Sequence, residues 1–353
     1  MFQVSLKFRG LKNLGKGLLS FGLVWGSTFA AQATSVPKPL LPEGARVQPD
    51  ISDPPAWIAH LAEADYQPIQ KACQPFFLPA QGVRRGTLLL FHGFSACPQQ
   101  FWGLAPQLAA QGFAVYAPLL SGHGRQAQGQ PGAWQDTSTE LPGEKDWQRY
   151  QRQALQLAEL MPSEGLRVVG GLSVGAAVAA SALIQAPQSF DRGILLTTLF
   201  DVNRPQSQIL PLFSSLVPDF NTDWGPSCEL EREGGRGGYC QFRLRHLRAV
   251  QRLGQETLAQ LNQIQVPVQI VGVEDDGTAS NFAQLEAHRR LSQSQICFFQ
   301  KGANHSLFSR YDSPHEDKFW LTALERMTVA FVQTGQYFHA EGQPEGEPRC
   351  SLE

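Results

Sequence analysis

The chain has 353 residues and a formal net charge of −2, with 42% hydrophobic and 17% charged residues. This composition is that of a globular protein with a large core, and the length suits one large domain with insertions better than two independent domains. A net charge so close to zero gives no general electrostatic case for binding nucleic acid.

The first 33 residues have the pattern of an export signal. Basic side chains come first, an apolar run over residues 17–31 follows, and Ala31 and Ala33 place small residues at the cleavage positions. We therefore expect a signal peptide at 1–33, cleavage after Ala33, and a periplasmic or secreted protein. The apolar run is shorter than the roughly 20 residues of a membrane span. An uncleaved N-terminal membrane anchor is the alternative.

Strand-like and helix-like segments alternate after a proline-rich N-terminal arm at 34–72, in which residues 56–72 have a helical pattern. The predicted strands are 87–91, 113–118, 166–171, 193–199, 266–272 and 295–300. The predicted helices are 98–111, 145–161, 174–185, 281–292 and 315–334. Such alternation predicts an α/β fold with a mostly parallel sheet flanked by helices. We place the folded domain at 73–338 and a C-terminal tail at 339–353.

The predicted strand at 166–171 leads into Gly171-Leu172-Ser173-Val174-Gly175, and a run of small residues follows. A serine on such a strand–turn–helix segment is held in strained backbone geometry with its hydroxyl at the top of the sheet. The flanking glycines allow strand and helix to approach where a Cβ would clash. The spacing alone also fits a plain turn of small residues, but its context favours a nucleophile.

Three other predicted strands end in residues that suit the same chemistry. His92-Gly93-Phe94 follows the strand at 87–91, Asp275-Asp276 follows the strand at 266–272, and His305 follows the strand at 295–300. Of the eight histidines, His305 alone follows the last core strand. The chain order of serine, aspartate and histidine is the one expected of α/β-hydrolases.

The chain resembles α/β-hydrolases of the carboxylesterase and monoacylglycerol-lipase type, a group similar to the serine aminopeptidases of the S33 type. The matching residues lie within about 85–335: His92-Gly93-Phe94, Gly122-His123-Gly124, Gly171 to Gly175, Asp276 and His305. One departure is Ala176, where the family often has a second glycine. The resemblance implies the α/β-hydrolase fold with an inserted lid at about 201–247.

The resemblance and the chemistry of acyl transfer together assign roles. Ser173 is the expected nucleophile, His305 its general base, and Asp276 the acid that holds the imidazole in its working tautomer. Asp275 is the less favoured choice for the acid because it lies one residue off the family position. The backbone N–H groups of Phe94 and Val174 are the expected oxyanion hole.

The segment 201–247 interrupts the strand–helix alternation and is rich in proline, glycine and aromatic residues. We interpret it as a lid over the active site, and a plain surface excursion is the alternative. Phe94, Trp224 and Tyr239 are the residues that we expect to line the substrate pocket.

The chain has six cysteines, and export to an oxidising compartment would permit disulfides. Cys228 and Cys240 bracket a glycine-rich loop and form the best candidate pair. A bond between Cys73 and Cys97 is less strongly indicated. Cys297 lies in a predicted strand, where we expect a buried apolar residue. No cysteine or histidine spacing typical of a metal site is present.

The sequence therefore predicts an exported serine hydrolase that cleaves a carboxylic ester, with a lipid-like or medium acyl chain, through an acyl-enzyme. We expect no cofactor and no metal. The expected partner is a small-molecule ester, with no nucleic acid, and peripheral contact with lipid is left open. The alternatives are a peptidase, a thioesterase or another α/β-hydrolase activity, and a non-catalytic binding protein on this scaffold.

Overall fold

The computed structural model describes residues 69–351 except for ten gaps. The gaps are 121, 126–140, 204–205, 226–227, 229–230, 232–234, 301–302, 308–317, 319 and 337–346. The predicted signal peptide and almost all of the predicted N-terminal arm lie outside the described residues, and so do parts of the predicted lid and tail.

An eight-stranded sheet forms the centre of the molecule, with the strand order β1-β3-β2-β4-β5-β8-β9-β10. Its strands are β1 (Phe76–Leu78), β2 (Gly86–Phe91), β3 (Phe113–Ala117), β4 (Leu166–Leu172), β5 (Arg192–Leu196), β8 (Val268–Val273), β9 (Ser294–Phe299) and β10 (Arg349–Ser351). A separate antiparallel hairpin consists of β6 (Asn221–Asp223) and β7 (Gln241–Arg243).

The six inner strands, from β3 to β9, pair in parallel, whereas the edge strands β1 and β10 pair antiparallel to their neighbours. The strands β2 and β8 are buried along their whole length, as expected of parallel strands covered on both faces. Because the inner strands are parallel, their carboxyl ends meet at one edge of the sheet, where ligand sites form in such folds.

Helices cover both faces of the sheet. They are α1 (Leu104–Ala110), α2 (Glu144–Leu160), α3 (Val174–Gln185), α4 (Gln206–Leu216), α5 (Leu244–Leu258), α6 (Asn281–Arg290) and α7 (Leu321–Thr334). Side chains of α2, α3, α5 and α6 pack with one face of the sheet, and those of α1 and α7 pack with the other. Successive strand residues alternate between these two cores: Leu89 faces the first and Leu88 the second.

The structure confirms the mostly parallel sheet and the order of the core elements, with boundaries shifted by at most three residues at the strands. The predicted helix at 98–111 is instead a 3₁₀ turn at Pro98–Phe101 followed by α1. The region between β5 and β8 contains α4, the β6–β7 hairpin and α5. The sequence-based prediction has no element there: α4 contains a proline and the hairpin strands have three residues each, but α5 is a 15-residue helix that the prediction misses.

Three disulfides join the described cysteines, and none of these residues is a free thiol. The predicted Cys228–Cys240 bond is present, and so is the less strongly indicated bond between Cys73 and Cys97. The expectation for Cys297 was wrong. Although Cys297 is buried, it bonds to Cys350, because β10 pairs antiparallel with β9 and places the two residues directly opposite each other.

Candidate active site

Ser173 lies on the turn that joins β4 to α3. Its φ is +58°, a value that a non-glycine residue rarely adopts. Backbone hydrogen bonds hold the turn on both sides: the Ser173 N–H donates to the Leu196 carbonyl at 2.8 Å, and the Leu199 N–H donates to the Ser173 carbonyl at 3.1 Å. The strained geometry that the motif predicts is therefore present and is supported by the neighbouring strand β5 and the residues that follow it.

The glycines of the motif are required by close backbone contacts. A Cβ at Gly175 would overlap the carbonyl oxygens of Phe91 and His92, and a Cβ at Gly171 would overlap the backbone of Gly175. Ala176, where the sequence departs from the family pattern, lies in the first turn of α3 and is fully buried in the core. The turn thus needs glycine at 171 and 175 and accepts alanine at 176.

The structure brings Ser173, His305 and Asp276 into one hydrogen-bonded chain. The His305 Nε2 lies 2.9 Å from the Ser173 Oγ, and the His305 Nδ1 lies 2.7 Å from the Asp276 Oδ2. A carboxylate oxygen only accepts, so the Nδ1 carries the proton and the Nε2 is left to accept from the serine hydroxyl. This is the tautomer that a general base next to serine requires.

Burial and backbone hydrogen bonds hold the Asp276 side chain in place. Its side chain is completely buried, and its other oxygen accepts from the N–H groups of Thr278 at 2.8 Å and Ala279 at 3.0 Å. Asp275, the less favoured candidate, is exposed on the same turn. The geometry therefore selects Asp276 as the residue that contacts the histidine.

The loop after β2 is stabilised by a neutral histidine. Burial, and secondarily the proximity of His123, lower the pKa of His92 well below its usual value of 6.5. The His92 Nδ1–H donates to the Gly93 carbonyl at 2.8 Å, and the Nε2 accepts from the Leu120 N–H at 2.9 Å. Since both ring nitrogens are used by the backbone, His92 shapes this loop and takes no part in proton transfer.

The two predicted oxyanion donors occupy positions consistent with that role. Val174 is the first residue of α3, where an N–H has no acceptor within the helix, and Phe94 follows the loop glycine Gly93. Within the described part of the chain, neither N–H has a hydrogen-bond acceptor. Gly93 itself donates to the Gln100 Oε1 at 2.8 Å, which fixes the peptide next to Phe94.

A cavity of about 680 Å³, open to solvent, lies over Ser173 and His305. Its apolar wall includes Phe94, Leu172 and Trp224. The Phe94 ring packs edge-on against Trp224 at 6.5 Å and against Phe242 at 5.4 Å. Aromatic side chains from the loop after β2 and from the inserted segment thus form one continuous surface beside the serine.

Comparisons with known proteins identify the fold. Residues 82–233, less than half of the chain, match the family model of the serine aminopeptidases, S33. A monoacylglycerol lipase from Paleococcus ferrophilus superposes with a TM-score of 0.56 at 14% identity, covering 74% of this chain and 100% of its own. A soluble variant of monoglyceride lipase from Saccharomyces cerevisiae, in complex with a substrate analogue, has a TM-score of 0.55 at 18% identity and covers 75% and 92%. The chain has the α/β-hydrolase fold.

A third solved structure, from the metagenome-derived lipolytic enzymes LipS and LipT, has a TM-score of 0.55 at 18% identity and covers 75% of this chain and 99% of its own. No curated protein sequence matches this chain significantly. At identities this low, the superpositions establish the fold only. The roles of individual residues must come from the geometry of this chain.

The structure brings only two of the three predicted substrate-pocket residues together at the cavity. Phe94 and Trp224 line the cavity, whereas Tyr239 is not among the described residues that line it. Its hydroxyl accepts from the Arg125 N–H at 2.7 Å, and its ring lies beside His123. Tyr239 therefore faces the turn at 122–125, away from the cavity.

Several residues of the site have no signal in the sequence. Thr197 donates to the His305 carbonyl at 2.8 Å, and Asn203 donates to the Asp276 carbonyl. These two contacts join residues far apart in the chain, so only the fold reveals them. Glu231 and Arg236 form an ion pair at 3.3 Å, and both side chains are nearly buried. The two residues are close in the sequence, but nothing there places them in the cavity wall.

No cluster of three or more histidine, cysteine, aspartate or glutamate side chains suited to a metal occurs among the residues that the structure describes. Of the helices in that same part of the chain, none is both long and apolar enough to cross a membrane.

Proposed function

We propose that this α/β-hydrolase is an exported serine esterase that cleaves a carboxylic ester through an acyl-enzyme on Ser173. The observation that carries the proposal is the hydrogen-bonded chain from the Ser173 Oγ through His305 to Asp276. A serine hydroxyl is a weak nucleophile at neutral pH and needs a base in contact. Here the base is in contact, and a buried carboxylate orients it.

In the acylation step, the Ser173 Oγ attacks the ester carbonyl carbon while its proton passes to the His305 Nε2. The carbonyl oxygen becomes an oxyanion, which accepts hydrogen bonds from the N–H groups of Phe94 and Val174. Collapse of this intermediate breaks the bond to the alcohol oxygen, and His305 returns its proton to that oxygen. The alcohol leaves and the acyl group stays on Ser173.

Deacylation repeats these steps with water. His305 takes a proton from the water, whose oxygen attacks the acyl carbon, and the same two N–H groups stabilise the second oxyanion. The carboxylic acid leaves when the bond to the Ser173 Oγ breaks and His305 protonates that oxygen. Asp276 stays ionised throughout and stabilises the imidazolium that forms in each half of the reaction.

The cavity supports an apolar acyl group. Its wall includes the apolar side chains of Phe94, Leu172 and Trp224, which would bury part of a medium or lipid-like chain while the rest stays at the solvent-open mouth. The Glu231–Arg236 ion pair supplies one polar region in the wall. Because the pair has no net charge, it suits a neutral substrate better than a charged one.

A peptidase activity is the second candidate, and it comes from the family model, which describes serine aminopeptidases. An aminopeptidase must neutralise the cationic amino group of its substrate. Glu231 is an acid in the cavity wall, but its charge is balanced by Arg236 at 3.3 Å. This pairing favours a neutral ester over a peptide amine.

Covalent labelling and turnover together test the proposed function. A fluorophosphonate probe should label the wild-type protein at Ser173 and leave Ser173→Ala unlabelled. A panel of p-nitrophenyl esters of increasing chain length should give a maximum at a medium or long chain, with activity on aminoacyl p-nitroanilides far lower. The rate of Ser173→Ala should fall by about 10⁴-fold or more. A folded wild-type protein that neither reacts with the probe nor hydrolyses any ester is a binding protein, and the proposal fails.

We also propose that the protein is exported and cleaved after Ala33. The basic and apolar pattern of residues 1–33 supports export, and the three disulfides are typical of an oxidising compartment. N-terminal sequencing of the protein from its native compartment should begin at Thr34. A protein that keeps residues 1–33 and stays with the membrane fraction supports the anchor instead.

Peripheral contact with lipid is proposed through α4. This helix of the inserted segment exposes Ile209, Leu212, Phe213 and Leu216, and the adjoining Val217 is also exposed. Exposed apolar clusters of this kind mark interaction sites. Co-sedimentation with phosphatidylcholine vesicles should decrease when Leu212 and Leu216 are changed to serine, while hydrolysis of a soluble ester stays unchanged. Equal sedimentation of the two proteins would contradict the proposal.

A further inference from the structure

Ser95, on the loop after β2, has an unusual backbone. Its φ is +58°, equal to that of Ser173, and only Thr197 among the other described non-glycine residues also has a positive φ. Ser95 is completely buried and does not line the cavity. A non-glycine residue in this region costs about 1–3 kcal/mol and persists only where its surroundings enforce it.

The contacts that hold Ser95 come from the inserted segment. The Trp224 Nε1–H donates to the Ser95 Oγ at 2.7 Å, across 129 residues of chain. The Tyr239 N–H donates to the Ser95 carbonyl at 2.5 Å. Gly238 has a φ of +112°, and a Cβ there would overlap the Ser95 carbonyl oxygen. We call Trp224, Gly238 and Tyr239 the Ser95 clamp.

The clamp is itself fixed in place. The Cys228–Cys240 disulfide closes the segment that carries Gly238 and Tyr239. The backbone N–H of Trp224 donates to the Cys240 carbonyl at 3.1 Å and so joins Trp224 to that segment. Gln99, on the 3₁₀ turn after the loop, accepts from the Gly237 N–H at 2.5 Å and donates to the Gly235 carbonyl at 2.9 Å. The clamp and the loop after β2 therefore form one hydrogen-bonded unit.

Phe94 lies between two tethers in this unit. On one side, the Gly93 N–H is bound to the Gln100 Oε1. On the other, Ser95 is held at both its side chain and its carbonyl by the clamp. An oxyanion donor is effective only when it is aimed before the charge develops, and a displacement of about 1 Å can cost about 100-fold in rate.

We infer that Ser95 and Trp224 are positioning residues of the reaction, which fix the Phe94 N–H for the oxyanion. The inference rests on the proposed function. The inserted segment then has a catalytic task besides covering the substrate. The indole N–H of its Trp224 fixes the geometry of the loop after β2, which lies 129 residues earlier in the chain. Loss of the indole–hydroxyl bond should lower kcat and leave KM nearly unchanged.

The test uses Ser95→Ala and Trp224→Phe in the full-length disulfide-bonded protein. Trp224→Phe keeps an aromatic ring against Phe94 and loses the N–H, whereas Ser95→Ala loses the acceptor. Each variant should have a kcat about 10- to 100-fold lower, with KM for a short and a long ester within about twofold of wild type. The double variant should be no slower than the slower single variant, because both changes remove one bond.

Thr222→Val is the matched control. Thr222 is buried on β6 two residues before Trp224, and its hydroxyl has no hydrogen-bond partner in the described part of the molecule. This variant should keep the wild-type kcat. Affinity for a trifluoromethyl ketone, which forms an oxyanion on the serine, should fall in Ser95→Ala and Trp224→Phe in parallel with kcat/KM, a loss that a purely structural role would not produce.

Four results separate the two proposals. A wild-type protein without ester turnover overturns the proposed function and this inference with it. An active wild type whose Ser95→Ala and Trp224→Phe variants keep full kcat overturns the inference alone. So do single losses that add in the double variant, or a Trp224→Phe loss confined to the KM of the long ester, which would make Trp224 a substrate-binding residue only.

Discussion

Two serines in this molecule share a φ of +58°, Ser173 after β4 and Ser95 after β2, and the two neighbouring strands place them at the same edge of the sheet. They differ in what enforces that backbone. The Ser173 turn is held by the glycines of its own motif and by the adjacent strand. Ser95 is held by the indole of Trp224, 129 residues later.

The difference shows that one strained conformation can have a local or a remote cause. A local cause leaves a pattern in the sequence, here Gly171-Leu172-Ser173-Val174-Gly175. A remote cause leaves none, because Trp224 is an ordinary aromatic residue until the fold brings it to Ser95. We therefore expect substitutions near the two serines to differ in their effects on unfolding free energy and on kcat.

The largest effect is expected at the acid behind the Ser173 turn. Asp276→Asn should lower kcat by about 10⁴-fold, because an amide in place of the carboxylate favours the wrong tautomer of His305. The matched change Asp275→Asn, on the exposed neighbour, should stay within about twofold of wild type. Steady-state kinetics of the two variants on one ester provide the comparison. A greater loss of kcat in Asp275→Asn would show that Asp275, and not Asp276, is the acid that orients His305.

Removal of disulfides should separate stability from the geometry of the Ser95 loop. The double change Cys297→Ser and Cys350→Ser opens a link across 53 residues and should cost about 4 kcal/mol in the chain-entropy model, with an unchanged kcat. The double change Cys228→Ser and Cys240→Ser, across 12 residues, should cost about 3 kcal/mol and also lower kcat.

Urea unfolding and ester kinetics on both variants measure these two quantities. The pattern matters more than the sizes, since measured disulfide contributions vary. An equal kcat in the two double variants would show that the clamp holds Ser95 without the Cys228–Cys240 bond.

Gly175→Ala should break the local support of Ser173. The added Cβ meets the carbonyl oxygens of Phe91 and His92, which cannot move without disturbing β2 and its loop, and we expect a loss of about 3 kcal/mol in unfolding free energy. Ala177→Gly, in the same helix turn, adds no atom and should cost about 1 kcal/mol. Thermal unfolding of the two variants tests this difference. A wild-type melting temperature in Gly175→Ala would contradict it, because it would show that α3 can move away from β2 without loss of stability.

The smallest effect concerns the stability of α5, which follows the clamp. Burial, followed by the charges of Arg245 and Arg243, lowers the pKa of His246 to about 4. The unfolded chain has the ordinary value near 6.5, so it binds a proton first as the pH falls. Stability should therefore be unaffected above about pH 7 and decrease between about pH 6.5 and 4, by about 2 kcal/mol at pH 5.

His246→Asn is the variant that isolates this term. The asparagine oxygen can replace the Nδ1 as acceptor of the Arg243 N–H but does not titrate. Urea unfolding at pH 7 and pH 5 should show a smaller loss in the variant than in the wild type, whose remaining loss includes the buried His92. An identical pH dependence in both proteins would assign the effect to other groups.

The six parallel strands and the three chain-order residues of the site could be predicted because each depends on nearby sequence. Ser173, Asp276 and His305 lie in the turns or loops that follow apolar strands, and parallel pairing brings the ends of these strands together. The orientation of Tyr239 depends on contacts across the fold, for which the sequence has no local signal.

The antiparallel edge strands β1 and β10 could not be predicted, because each has three residues and no periodic pattern. The helix α5 is also absent from the prediction, although its buried side chains Val250 and Leu253 lie at helical spacing and are a signal that could have found it.

The three-residue edge strand β10 also protects the protein from aggregation. β9 has the sequence Ser-Gln-Ile-Cys-Phe-Phe over Ser294–Phe299, an uncharged, apolar segment of the kind that forms intermolecular β-structure when its edge is open. β10 occupies that edge, and the Cys297–Cys350 bond fastens it there. Reduction of this bond followed by proteolysis just before residue 349 would therefore release β10 and turn a covered strand into a template for aggregation.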